Sequence, residues 1–215
     1  MPQTSDPAPA AYPRATRAAG RHTRSALLDA ATRLCADRGL SGVSAAEIAR
    51  EAGVFPSQVT YYFGNKEALL VEAACRAVLH AATQIERAGA SARSPRSYVR
   101  AVVDTALEDP ALLSFVEATV LARRRPDLAP GVRETFARLH TEAERAIVEN
   151  LASRGWEIRS EPAAEAHGFW ATILGVVLER SAQDEEISAR SAEAAVALVL
   201  NLYTEPDRQA RDADA

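Results

Sequence analysis

Residues 44–63, SAAEIAREAGVFPSQVTYYF, run directly into Gly64-Asn65-Lys66-Glu67, and this stretch constrains the fold more than any other. It reads as two short helices around a glycine turn, a layout that sets the second helix into the major groove of DNA. Ser44 with Glu47 fits a capping box, so a helix starts at Ser44. Ile48 and Ala52 share one face of that helix. Gly53 supplies the turn, because glycine takes positive φ at little cost. Pro56 suits the first turn of the next helix, where a missing N–H is not needed. That second helix carries Ser57, Gln58, Thr60, Tyr61 and Tyr62. Such a polar and aromatic surface, almost free of charge, suits base edges and phosphates.

Charge supports the same reading once it is divided along the chain. The net charge is −4, which is wrong for a nucleic-acid binder taken as a whole. Residues 1–66 hold eight Lys or Arg against five Asp or Glu, for +3, and residues 67–215 hold 17 against 24, for −7. The N-terminal part can face phosphates while the remainder is repelled, which orients the molecule on DNA. Of the 25 basic residues only Lys66 is a lysine. Cys35 and Cys75 are too few and too far apart for a disulfide framework or a zinc site, and read as small buried apolar residues. The four histidines show no pair at i, i+3 or i+4, so no metal site is expected, nor any cofactor. No signal-peptide core and no uninterrupted apolar run of membrane-spanning length is found, so a cytoplasmic protein is expected.

The rest of the chain reads as helices, with no period-2 strand pattern and no internal repeat. Residues 1–20, rich in Pro and Ala and carrying Arg14 and Arg17, read as a disordered basic arm. A first helix over 21–38 buries Ala26, Leu27, Ala30 and Leu34, and Gly39 ends it. A long helix runs from Asn65 through Arg87, stopped by Gly89. Further helices are expected at 97–108, 111–124, 130–153, 162–182 and 188–204, with Pro110, Pro126, Pro130, Pro162 and Pro206 near their ends. This gives an all-α chain with a DNA-binding domain over 21–81, a second helical domain over 82–204 and a polar tail over 205–215. The last two helices are apolar around much of their circumference, through Phe169, Trp170, Ile173, Leu174, Val177, Leu178, Ala195, Val196, Leu198, Val199 and Leu202. Such helices need cover on a second side. A partner subunit forming a two-fold four-helix bundle through 162–182 and 188–204 supplies it, and burial within one subunit is the alternative.

The block from Ala30 to Leu70 resembles the DNA-binding domain of TetR-type bacterial transcriptional regulators. The matching residues are Ala30-Ala31 and Leu34, then Gly39, Ile48-Ala49, Ala52-Gly53-Val54, Tyr61-Tyr62-Phe63, Lys66-Glu67 and Leu69. The resemblance implies an all-helical homodimer with an N-terminal three-helix DNA-binding domain and a C-terminal ligand-binding and dimerisation domain. It implies backbone contacts from Tyr62 and Lys66. The chain departs from the family pattern at Thr60, where a tyrosine is common, and at Phe55, where a small polar residue is common.

Gln58 and Tyr61 are the strongest candidates for base contact, since glutamine can pair bidentately with adenine and a tyrosine ring can lie on a thymine methyl. Ser57 and Thr60 are short enough to approach the groove floor or a phosphate. Lys66, Ser44 and Thr23 sit near expected helix starts, whose free N–H groups favour phosphate. Val54, Val59 and Phe63 are spaced to pack against the first two helices. In the C-terminal half, Tyr98, Glu117, His140, His167 and Trp170 are candidates for a ligand pocket, being polar or amphipathic groups on otherwise apolar faces. The Arg123-Arg124-Arg125 run reads as a solvated helix end beside a negative dipole. The function expected is a sequence-specific transcriptional regulator, a homodimeric repressor released from palindromic operator DNA by a small-molecule effector. The alternative is a helical carrier or enzyme that keeps the motif as scaffold. No G-x-S-x-G, phosphate-binding glycine loop or H-E-x-x-H supports that alternative.

Overall fold

The computed structural model describes residues 12–156, 161–182 and 185–200. Among them every regular element is helical. They are α1 (Tyr12–Arg38), α2 (Ala45–Glu51), α3 (Ser57–Phe63), α4 (Lys66–Ala90), α5 (Pro95–Glu108), α6 (Ala111–Arg124), α7 (Ala129–Ile147), α8 (Pro162–Arg180) and α9 (Glu185–Val199). A 3-10 turn over Pro126–Leu128 precedes α7 and a π-helical turn over Val148–Ala152 follows it. The expected tail over 205–215, and Leu202 with it, lie outside the described residues.

α1 to α3 form the small N-terminal unit. Ser44 Oγ accepts from Glu47 N at 3.2 Å, and Glu47 Oε2 accepts from Ser44 N at 3.0 Å, so the capping box is complete. Gly39 ends α1 at φ +68° and Gly53 makes the α2–α3 turn at φ +67°. Ile48, Ala49 and Val59 are buried, with Val54 and Phe63 packed beside them. The expected arm over 1–20 is corrected from Tyr12 onward, where the backbone is already helical, and residues 1–11 lie outside the description. Ala15, Ala18 and Ala19 favour continuing the helix, and the Pro- and Ala-rich composition concealed this.

α4 is the spine of the molecule. Asn65 caps it, its Oδ1 accepting from Ala68 N at 2.8 Å. Leu69, Leu70, Val78, Ala81 and Ile85 are buried along it, and it packs on α1, α3, α5, α6 and α7. It passes the expected domain boundary at 81–82 without a break, so both units share one helix and one continuous core. By length and mean hydropathy (1.2) α4 alone among the described helices could cross a membrane, which counting uninterrupted apolar runs missed. Half of its most apolar stretch is buried inside the protein, as a core helix requires.

Gly89 does not stop α4, contrary to the sequence reading. It lies inside the helix where α5 presses closest. A Cβ there would stand 2.7 Å from the Tyr98 ring and 2.9 Å from Val102. Ser94 then opens α5 through a second capping box with Ser97. Gly168 plays the matching part between α8 and α9, with a Cβ position 2.6 Å from Val199 Cγ1. Much of the apolar surface of these last helices is covered within the subunit, since Phe169, Trp170, Ile173, Val177 and Val196 are buried. Leu178 and Leu198 remain 54% and 58% exposed, leaving an apolar remnant for a partner to cover.

Candidate nucleic-acid interface and sensor cavity

The outward face of α3 follows from its helical spacing. Ser57, Thr60, Tyr61 and Gly64 fall at i, i+3, i+4 and i+7 and are all exposed, while Val59 points the other way and is buried. Tyr61 is 78% exposed, and Phe55, in the turn just before the helix, is 79% exposed. No described neighbour covers either ring. Gln58 is half-buried on the flank of the stripe rather than at its crest. Tyr61 and Tyr62 meet edge to face at 4.8 Å between centroids, which fixes the direction of Tyr61. Tyr62 turns back towards α1, its hydroxyl 3.3 Å from where a Gly20 Cβ would lie.

Two of the expected backbone contacts have local duties as well, and a third loses its helix start. Ser44 is exposed but its hydroxyl is committed to Glu47, which also binds Arg38 at 2.9 Å. The Ser44 bonds come first among the causes that pull the Glu47 carboxyl down to about 2. Lys66 Nζ donates to Val43 O at 3.0 Å, tying the start of α4 to the α1–α2 loop. Its remaining two protons are available to phosphate. Thr23 lies well inside α1 instead of at a helix start, because that helix begins at Tyr12. The free N–H groups that would have drawn a phosphate to Thr23 are therefore absent.

Sequence reasoning passed over two cations. Arg24, Arg33, Arg38 and Arg76 are engaged by Glu72, Glu51, Glu47 and Asp29 respectively. Arg21 and Arg50 are exposed and form no ion pair among the described residues. These pairings depend on which helices meet, so no spacing along the chain announced them. Phe55, which departs from the family pattern, belongs to the outward surface by its exposure.

The C-terminal half holds a small, partly open cavity of about 40 Å³ among α4, α5, α7, α8 and the residue that follows α9. Ile85, Tyr98, Leu139, Phe169, Trp170 and Leu200 line it, with Glu86 and Glu142 beside them. Burial pushes the Tyr98 phenol up to about 12, so it stays neutral. Trp170 Nε1 donates to Leu139 O at 3.0 Å, which sets the indole between α7 and α8. Glu86 and Glu142 are held by Arg145 and Arg138. A cavity this size holds a few waters and must open to admit an organic molecule.

Of the five residues expected at a pocket, only Tyr98 and Trp170 meet there. His140 and His167 stack on each other at 3.7 Å outside the cavity, and burial, then His167, lowers the His140 pKa. Glu117 faces the opposite way. It lies in an open groove of about 450 Å³ between α6 and the N-terminal unit, where its Oε2 accepts from Leu40 N at 2.6 Å. Polarity on an apolar face was the only signal for these three, and it does not say which neighbour the face meets.

Comparison with known proteins follows the same division. Residues 27–73 match the family model described as bacterial regulatory proteins, tetR family, and residues 95–200 match that of the bacterial transcriptional repressor C-terminal region. The chain is 34% identical over 156 residues to the HTH-type transcriptional regulator BetI of Burkholderia mallei (strain NCTC 10229), covering 68% of this chain and 79% of that relative. A transcriptional regulator from Rhodococcus sp. RHA1 has a similar crystal structure, with a TM-score of 0.76 at 34% identity over 84% of this chain and 95% of the other. Reduced E. coli NemR shares the fold alone, with a TM-score of 0.63 at 19% identity over 86% and 98%.

Proposed function

The chain belongs to the TetR family of bacterial transcriptional regulators, and from that premise we propose a homodimeric repressor that leaves a palindromic operator when a small molecule enters its C-terminal half. The observation that carries the DNA-facing part is the uncovered α3 stripe of Ser57, Thr60 and Tyr61 with Phe55 beside it. Tyr61 and Phe55 offer ring faces to thymine methyls. Gln58, on the flank, reaches a base edge by its length. Ser57, Thr60, Tyr62 and Lys66 serve the backbone, joined by Arg21 and Arg50. Ser44 contributes mainly by holding α2 in place.

Dimerisation through α8 and α9 is supported by the exposed Leu178 and Leu198 on helices whose other faces are already buried. A two-fold dimer sets two α3 helices about 34–36 Å apart, one turn of B-DNA. Release is supported by the connectivity. An effector entering beside Tyr98 and Trp170 must spread α7 and α8 away from the close-packed α4–α5 pair. Gly89 leaves no slack between α4 and α5, so the spreading moves α4, and α3 rides on its N-terminus. The effector acts only through its tighter binding to the opened state. Such a protein works in the cytoplasm, beside the chromosome.

The test is binding of a palindromic operator with and without five base pairs inserted between its half-sites. The insertion turns one half-site to the opposite face of the duplex, so affinity is expected to fall to the non-specific level. Unchanged affinity would overturn the dimeric reading.

A further inference from the structure

The Arg123-Arg124-Arg125 run lies outside both the helix-turn-helix unit and the sensor cavity, and its position in the fold gives it a use. α6 ends at Arg124. Arg124 lines the same open groove as Leu40, Ser41, Lys66 and Glu67. Lys66 and Glu67 open α4 directly after α3, so the end of α6 sits level with the junction between the recognition helix and the spine. Arg125 is held by Asp127 through two hydrogen bonds of 3.1 and 2.9 Å, and it also feels the Glu67 carboxylate. Arg123 and Arg124 are exposed and have no ion-pair partner among the described residues.

We propose that Arg123 and Arg124 form a second backbone contact, in which the sensor half grips operator phosphates adjoining those reached from the start of α4. The inference rests on the DNA-binding reading and adds to it a contact outside the helix-turn-helix unit. Charge complementarity selects the partner. The segment 67–215 carries −7 and repels DNA as a whole, so two unneutralised arginines beside the DNA-facing unit are an island of attraction in a repulsive surface. The α6 dipole explains why cations are tolerated at its C-terminus. It does not require two beyond the one that Asp127 already neutralises. Guanidinium groups suit phosphate because they donate two parallel hydrogen bonds.

Glu117 ties the grip to the N-terminal unit, while α6 also packs on α7 and α8 of the sensor. Glu117 stands seven residues before Arg124, two turns back on the same face, and bonds the α1–α2 loop at Leu40. The end of α6 is thus fixed relative to the N-terminal unit by the same helix that carries the arginines. Movement of α6 would withdraw them from the backbone together with the loop.

The experiment compares wild type, the double variant Arg123→Gln/Arg124→Gln and the charge-keeping Arg123→Lys/Arg124→Lys on the operator duplex that wild type selects. Affinity is measured between 50 and 200 mM salt, and backbone protection is mapped by hydroxyl-radical footprinting, which cuts at the sugar beside each phosphate. Each lost phosphate contact removes about 0.9 from the salt slope. A dimer losing one contact per subunit therefore shows an affinity fall about 10-fold shallower across that range. The Gln variant is expected to keep the same preferred sequence, flatten the slope by about 2–4 and lose protection at the outer phosphates. The Lys variant is expected to keep the slope. A wild-type slope and footprint in the Gln variant would overturn the proposal, as would equal losses in the Lys variant. Absence of any preferred sequence for wild type would overturn the DNA-binding reading itself, and this contact with it.

Discussion

Replacing Glu117 by alanine tests the join between the two halves of the molecule. The Glu117 carboxylate is the acceptor for Leu40 N, at 2.6 Å across 77 residues of sequence. Leu40 is 5% exposed, so its N–H loses that partner where bulk water does not freely reach. A buried donor left unsatisfied costs about 1–3 kcal/mol. The adjoining groove of about 450 Å³ admits water to one side of the site, which places the cost near the lower end, at about 1.5 kcal/mol. For a chain of this length that lowers Tm by about 3–6 °C. Glu117→Gln keeps an oxygen at the same place and loses only the charge, so about 0.5 kcal/mol is expected. Gly39 sharpens the test. A Cβ there would stand 2.9 Å from Glu117 Oε1 on a residue already at φ +68°. Gly39→Ala therefore disturbs both the turn and the carboxylate, and adding Glu117→Ala to it should cost less than the sum of the two. The assay is urea unfolding with a double-mutant cycle. A Glu117→Ala loss under about 0.5 kcal/mol, or strict additivity with Gly39→Ala, would refute the reasoning.

Three further perturbations follow from particular contacts. Gly89→Ala gains helix propensity of about 1 kcal/mol, but its Cβ would meet the buried Tyr98 ring at 2.7 Å. Overpacking of about 1–3 kcal/mol prevails, so urea unfolding should report net destabilisation. Any stabilisation would mean that α5 yields easily. Ser44→Ala removes the capping box at about 1 kcal/mol and should return the Glu47 carboxyl from about 2 towards its ordinary 4.5, as read by NMR titration. A carboxyl lowered by folding stabilises above its unfolded value. The stabilisation is thus present above pH 4.5, lost as pH falls towards 2, and missing from the variant. Gln58→Ala and Tyr61→Ala should each relax preference at one base position by about 1–3 kcal/mol. Equal losses on every sequence would assign these residues to the backbone instead.

The N-terminal unit was legible because its signals are local. Capping by Ser44, the turn at Gly53 and the 3.6-residue spacing of α3 each need only a few neighbouring residues, and all three stand in the structure. The length of α1 was not legible, since propensity in an alanine-rich segment competes with a compositional signature of disorder. Gly89 misled for a related reason. A glycine at a helix end and one under an approaching ring look alike in sequence, and only the Tyr98 contact separates them. The same holds in the sensor half. Tyr98 and Trp170 share a cavity while Glu117 and the stacked His140–His167 pair do not. That division is decided by how α5 to α8 lie against α4, which periodicity does not encode. The apolar excess on the last two helices was read mainly as a dimer surface, yet its larger part closes the subunit's own core.

Selection of bound sequences from a random duplex pool, with the purified full-length protein at physiological salt, tests the central claim most directly. An enriched palindrome is expected, with half-sites centred about one helical turn apart and the enrichment weakened by Tyr61→Ala. A folded dimer that enriches no sequence over random DNA would contradict it, and would leave the exposed α3 surface without the role argued for it.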